Sequence, residues 1–514
     1  MLPPHLVIYC WPIVALILFK RLSLPLAICW SIIAGYLLLP FGPRLDLPLL
    51  PQFDKHSIPV LAVTLFVLLR VSRDAVSGTR GQQVAASPVL TGWLPRHPAG
   101  RLLFFCLVLS TVMTVVTNGD RLVYGSLAIP GLRTYDIFSN LMTLVITLLP
   151  LLVARKCLAT DDAHKDLLMV LALAGFAYAF LVLYEVRMSP QLNNIVYGYY
   201  PASWRQNIRG DGFRPLVFIR HGLWLSIFMA CALMAAIAYM RVSAPEKKPR
   251  LWAMIIWIAL ALLLSKSMTS LIIVTFLAPV ILIFTARMQV LVAAIIAITV
   301  LLYPMLRGSG LVPTDQVVQV IEKINPQRAN SLQFRFNNED ILLEKANDRP
   351  LFGWGGWGRF RVYDSRGRDV STTDGRWTIS IGGEGWFGYL SRFGLLTIPI
   401  VLMMLRRQKY EISRATSALC LILAGNLVDL IPNAGLTNIT WLIAGALLGR
   451  LEQEAVLHSR TTSQPVAQVF ERIRQYSRPR PEKHRPPPNV TPLRGKSGYA
   501  RGSSNRRTSR GSES

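Results

Sequence analysis

The residues best suited to chemistry lie in two stretches that flank long apolar runs. The first, residues 185–221, reads EVRMSPQLNNIVYGYYPASWRQNIRGDGFRPLVFIRH. It carries Arg187, Arg205, Arg209, Arg214 and Arg220, with His221 directly after. Guanidinium forks match phosphate oxygens two at a time, so arginines gathered in one place suit an anionic phosphate or pyrophosphate ligand. Arg220 and His221 fall just inside the next apolar run, where ionisable groups are expensive and mark function. The short approach through 215–219 would also let them reach the membrane interface. Pairing with Glu185, Asp211 and lipid headgroups is the plainer role for the whole cluster.

The second stretch, 307–385, mixes acid and base with many Gly and Trp. Leu332, Phe336, Ile341, Leu342 or Leu343, and Ala346 recur at helical spacing, which predicts an interfacial amphipathic helix over 331–347. GWGGWG at 353–358 formally satisfies G-x-G-x-x-G, but no strand precedes it, and a tight turn with exposed indoles fits better than a dinucleotide site. Trp354, Trp357, Trp377 and Trp386 offer rings to stack on sugars, or to anchor at the membrane interface. Glu384, in GGEGW, is flanked by glycines that allow close approach of a substrate. It suits a general base, or equally a helix N-terminal acid favoured by the macrodipole.

The elements that must position these residues are membrane spans. Of 514 residues, 52% are hydrophobic and 16% charged, and the mean hydropathy is +0.39. A soluble domain carries about 25% charged residues. Thirteen apolar runs are long enough to approach or cross a hydrocarbon core about 30 Å thick: 6–19, 22–39, 57–71, 102–118, 136–154, 166–184, 215–240, 251–264, 268–286, 288–306, 386–405, 415–431 and 436–450. The fold class is therefore an all-α polytopic membrane protein with about 12–13 transmembrane helices. A soluble enzyme, a disordered chain and a single-anchor receptor are excluded. MLPPHLVIYCWP at the start lacks a basic signal region, so the first span is expected to be retained.

Lys and Arg place the loops. Lys20 and Arg21, Arg70 to Arg101, Arg155 and Lys156, Arg241 to Arg250, Arg287, and Arg406 to Arg414 all fall on one side of the thirteen-span arrangement, as does everything after Arg450. The positive-inside rule makes that side cytoplasmic. Loops near 40–56, 119–135, 185–214 and the large 307–385 segment then face outward. The chain divides into a transmembrane domain, 1–450, and a tail, 451–514. Thirteen basic against five acidic residues, with many Pro, Ser and Gly, mark that tail as disordered, with some affinity for anionic lipid. The net charge of +27 thus reflects topology and the tail rather than nucleic-acid binding. The six cysteines show neither metal-knuckle nor disulfide spacing and read as apolar fillers.

Several motifs together resemble the bacterial O-antigen ligase/polymerase superfamily over roughly residues 120–450. They are Arg209-Gly-Asp-Gly-Phe-Arg-Pro, Ser265-Lys266-Ser267, Ser331-Leu-x-x-Arg335, Arg349-Pro-Leu-Phe-Gly-Trp-Gly, and Gly385-Trp-Phe-Gly-Tyr-Leu-x-x-Phe-Gly394. The resemblance implies transfer of a glycan from undecaprenyl pyrophosphate to a hydroxyl of a second sugar at the periplasmic face of the bacterial inner membrane. It implies that neither metal nor other cofactor takes part. By the same resemblance Arg209, Arg214 and Arg335 bind the pyrophosphate, with Arg220 and Lys266 as further candidates. The family's ligases place a His at the end of the large loop; this chain has Glu384 there and no His in that loop. Glu384 or His221 is then the expected base, and the departure leaves ligase against polymerase open.

The expectation is a metal-independent membrane glycosyltransferase that polymerises or ligates lipid-linked surface polysaccharide. Trp354, Trp357 and Trp377 would bind sugar, and a polysaccharide export machinery is a possible partner. A transporter or flippase of lipid-linked glycan is the alternative, disfavoured because the ionisable groups gather at one face. A membrane scaffold recruiting partners through its basic tail accounts for the tail but not for the outer arginines.

Overall fold

The structure, a computed structural model, describes residues 1–46, 51–77, 89–202, 207–209 and 212–476. Arg205 and Asp211, and the tail from 477 onward, lie outside the described residues, as does the side chain of Arg209. Residues 1–459 form one compact unit and 460–514 a second.

Seventeen α-helices run through the described residues and take up most of each expected apolar stretch, although 6–19 is divided between two of them at Cys10 and 215–221 is not helical. They are α1 (Pro4–Tyr9), α2 (Trp11–Arg21), α3 (Leu24–Leu38), α4 (Ser57–Ser77), α5 (Pro98–Val116), α6 (Thr134–Cys157), α7 (Asp161–Met188), α8 (Leu192–Tyr197) and α9 (Gly222–Val242). There follow α10 (Lys248–Leu264), α11 (Met268–Ile283), α12 (Ala286–Gly308), α13 (Thr314–Ile324), α14 (Pro326–Asn347), α15 (Arg376–Leu405), α16 (Arg414–Asp429) and α17 (Asn438–Tyr476). Seven helices are long and apolar enough to cross a membrane, counting α1 and α2 as one broken at Cys10; Leu24–Leu38, Ser57–Arg70 and Met268–Ile283 are shorter apolar helices. This is an all-α polytopic membrane protein. The only sheets among the described residues are two small hairpins, β1 (Leu122–Tyr124) with β2 (Leu127–Ile129), and β3 (Ile208–Arg209) with β4 (Gly212–Phe213).

The most enclosed span is α9, which packs against α7, α10, α11 and α16. Ala230, Ala232, Ala235 and Ala236 are fully buried there, and such small residues let neighbouring backbones close in where lipid supplies no hydrophobic drive. Segments expected on one side of the membrane touch one another. Arg155 pairs with Glu452 at 2.5 Å, and Arg406 reaches His97 at 3.2 Å. Leu2 N donates to Val196 O at 2.7 Å on the other side.

Two expectations need correction. The helix expected over 331–347 is longer: it is α14, begun by Asn325, whose side chain accepts from Arg328 N, and by Pro326 in the first turn; its apolar residues are not gathered on one face as expected, and the strongly amphipathic helix of the loop is instead α13. The stretch after 450, read as disordered because it lacks apolar residues, is helical as far as Tyr476 in continuation of α17.

Candidate functional site

The large loop is bolted to the break in α15. Gly385 has φ 69 and ψ −177, a conformation open only to glycine, and it divides the helix into two rods. The backbone groups freed there are met by the RPLFGWG stretch. Trp386 N donates to Pro350 O (2.7 Å) and Phe387 N to Leu351 O (3.2 Å), while Trp354 N and Gly355 N donate to Gly382 O and Gly383 O (2.8 and 2.9 Å). A Cβ on Gly353 would fall 2.5 Å from Gly385 N, so the two glycines exist for one close backbone contact. On α5 and just past its end, Ser110, Thr114 and Asn118 recur every four residues and take the remaining carbonyls. Ser110 Oγ donates to Glu384 O (3.1 Å), Thr114 Oγ1 to Phe352 O (2.7 Å) and Asn118 Nδ2 to Gly353 O (2.8 Å). Buried irregular backbone must find such partners, because an unpaired buried N–H or C=O is costly.

Glu384 therefore stands at a built corner. Both its oxygens are taken by one guanidinium: Arg392 Nη2 lies 2.5 Å from Oε1 and Nε 3.0 Å from Oε2. Arg392, an arginine inside an apolar span, is buried. It was not among the expected site residues, although its depth in the 386–405 run was the signal.

The tryptophans separate. Trp354 is 7% exposed, its indole N–H donates to Lys345 O, and its ring is covered by Lys345 Nζ at 3.8 Å and the Arg349 guanidinium at 4.2 Å. Trp377 is 1% exposed, edge-on to Tyr303. Neither presents a face to a sugar, because both serve packing. Trp357 is 80% exposed, at φ 58 in the glycine turn, and has an open ring. The turn itself is fastened by Arg349 and the fully buried Arg359, which both pair with Asp120. The Arg349 guanidinium holds the Asp120 carboxyl below its usual range.

The arginines of the first stretch fall into one loop, itself held from below. Glu185, expected as a counter-ion, is fully buried and instead accepts three backbone N–H groups: Leu192 (2.9 Å), Leu216 and Val217 (both 2.7 Å). Lys55, unnoticed in the sequence, donates its ammonium to Phe218 O at 2.9 Å, and burial pushes it down to about 7. On that frame Arg214 donates to Lys266 O at 3.1 Å. A Cβ on Gly212 would lie 2.8 Å from Lys266 Nζ, so the β3–β4 hairpin bearing Arg209 rests on Lys266. Lys266 has φ 54, which turns the short α10–α11 link sharply. Arg220 stacks on Phe41 at 5.2 Å and is exposed. His221 caps α9, its Nδ1 accepting from Leu223 N at 3.2 Å.

Arg335 projects from α14 to the segment between α16 and α17. It donates to Pro432 O at 3.3 Å and lies 3.5 Å from Asp374. That segment also takes the start of α15, since Arg376 N donates to Leu430 O and Asn433 O. Farther on, Gly435 lies against the Trp224 ring at the head of α9. Residues 430–435 thus touch Arg335 through Pro432 and the first turn of α9 through Gly435. Glu384 belongs instead to the α15 break.

One further acid was missed. Glu339, a turn beyond Arg335 on α14, is 8% exposed, 3.9 Å from Arg307, and accepts from Tyr303 Oη at 3.3 Å. Burial raises it to about 7 against the opposing pull of Arg307. No group of three or more His, Cys, Asp or Glu able to hold a metal occurs among the described residues.

Residues 252–398, or 147 of the 514, match the O-antigen ligase family. The match takes in Lys266, Arg335, the RPLFGWG stretch and the α15 break, and leaves Arg209, Arg214, Arg220 and His221 outside. No curated protein and no solved structure matches the chain.

Proposed function

We propose, taking the O-antigen ligase match as premise, that this membrane protein transfers a glycan from undecaprenyl pyrophosphate to a sugar hydroxyl at the periplasmic face of the inner membrane. In this reading the acceptor oxygen attacks the anomeric carbon, the bond from that carbon to the pyrophosphate oxygen breaks, and the lipid pyrophosphate leaves with the electron pair. Negative charge grows on the leaving group. Fixed cations aimed at growing charge form the largest catalytic term in many enzymes. Arg335, Arg214, Lys266 and Arg220, with Arg209 on the hairpin above Lys266, serve that role. His221, at the head of α9, belongs to the same group. Trp357 offers the open ring for a sugar, and Glu384 holds Arg392 and the helix break.

The observation that supports the reading is that residues 430–435 touch Arg335 at Pro432 and touch Trp224, in the first turn of α9 just after the arginine-bearing stretch, at Gly435. Grouping these two separately encoded sets of cations is our reading, in a chain part of which matches a ligase family. Replacing Arg335 or Arg214 by Ala should abolish the polymer or ligated product while the protein stays in the membrane and lipid-linked precursor accumulates. Wild-type product in both variants would sink the assignment. If the variants trapped precursor on the cytoplasmic leaflet, the chain would be a flippase. Reporter fusions at Gly310 and Ser459 should report opposite sides.

A further inference from the structure

Transfer to a hydroxyl needs a proton acceptor, and the large loop has no histidine. The carboxylates near the arginines differ in what is left of them. Glu384 has both oxygens on Arg392. Glu339 is sealed between Arg307 and Tyr303, its side chain 11% exposed. Asp429 is 2% exposed and bonded by Asn433 at 2.8 Å. Asp374 is 38% exposed, beside an Arg335 that is itself 31% exposed, with a single contact of 3.5 Å between them.

The position of Asp374 is fixed by its neighbours rather than by its own side chain. Thr372 N donates to Asn338 Oδ1 at 2.7 Å, tying the approach to α14 on the same face as Arg335. A Cβ on Gly375 would meet Ile431 O at 2.3 Å, so only glycine lets the chain lie against that carbonyl. Arg376 N then donates to Leu430 O (3.0 Å) and Asn433 O (3.1 Å). The backbone is clamped on both sides while the carboxylate stays open, as a group that must meet a substrate requires.

We propose that Asp374 is the general base of the transfer, resting on the reading of the site as a lipid-linked glycan transferase. As the acceptor oxygen bonds to the anomeric carbon, its proton passes to a carboxylate oxygen of Asp374. The bond to pyrophosphate breaks, and the electron pair leaves with the pyrophosphate beside Arg335. Protons and charge balance without a co-reactant: one acid is formed on the protein, one anion is released, and the proton returns to water in the next cycle. Placing base and cation within one ion pair couples the two halves of the displacement.

The test uses the full-length protein in lipid with undecaprenyl-pyrophosphate-linked glycan isolated from membranes of cells lacking the protein, and follows product against pH. Asp374→Asn should lower turnover by about 10²–10⁴-fold with donor binding unchanged, the range for loss of a general base. Asp374→His should keep measurable turnover, with the acid limb of the pH profile moved upward towards about 6.5, the ordinary imidazole value. A purely structural role would not move that limb. Near wild-type turnover in Asp374→Asn, or an unmoved limb in an active Asp374→His variant, would overturn the assignment of the base alone. Should Asp374→Asn not fold, the Asp374→Glu and Asp374→His pair still decides it, and inactivity of both when folded would count against a base. If the wild-type protein consumes no lipid-linked donor, the reading of the site falls and the base with it.

Discussion

Arg392 grips Glu384 with two branches of one guanidinium, eight residues along a helix that is broken between them. The pair spans the break and fixes the angle between the two rods of α15. Glu384→Gln leaves a buried arginine without its counter-ion, and breaking a buried pair costs about 3–5 kcal/mol. Glu384 is 26% exposed on its side chain, which places this variant at the lower end. A lowered melting temperature in detergent is expected, with activity falling in step. The double variant Glu384→Gln, Arg392→Met should recover stability. Loss of turnover at unchanged stability would return Glu384 to a chemical role.

Trp354 and Trp357 give opposite outcomes. Trp354→Ala removes a buried ring covered by two cations and should cost about 3–5 kcal/mol, as for other buried aromatics. Trp357→Ala removes an exposed ring and should leave the melting temperature unchanged while weakening saturation by the acceptor. Equal effects in both variants, on stability and on KM, would contradict the separation.

Gly353→Ala puts a methyl 2.5 Å from Gly385 N at φ 65. With backbone on the other side of the contact, nothing flexible can yield. The loop should detach from α15, and limited proteolysis within 349–358 should become fast although no charged residue has been altered. Protection equal to the wild type would show that the clasp tolerates a Cβ.

Glu339 makes stability fall with pH. Its folded value of about 7 stands above the unfolded value near 4.3, so between them the folded state binds the extra proton. The contribution is complete below about pH 4.3 and is lost as pH rises through 7. Thermal unfolding of the wild type between pH 5 and 8 should therefore slope downward more steeply than that of Glu339→Gln. Parallel slopes would remove Glu339 as the source.

Much of the frame was legible because lipid imposes it. Apolar runs mark helices whatever they pack against, so the thirteen stretches could be read from spacing. The arginines of the first stretch stood out for the same reason, as charges where topology asks for none. Pairings were not legible. That Glu185 would take three backbone amides, Arg392 both oxygens of Glu384, and Asp374 a place beside Arg335 depends on contacts between residues 7 to 39 apart, which no local pattern records. The tryptophans misled for a related reason: composition reports a ring, and only packing decides whether its face is open.

The ladder on α5 bears on how the chain is made. Ser110, Thr114 and Asn118 leave the ribosome more than 230 residues before the carbonyls they serve. A helix inserted with three polar groups idle would be penalised in lipid. Two of the three hold a second bond to their own helix, Thr114 to Ser110 O and Asn118 to Thr114 O, both at 2.8 Å. Such side chains can close on the carbonyl four residues back during synthesis and share the same donor with the loop when it arrives. The α5 helix can therefore wait in the bilayer, and assembly of the site need not keep pace with translation.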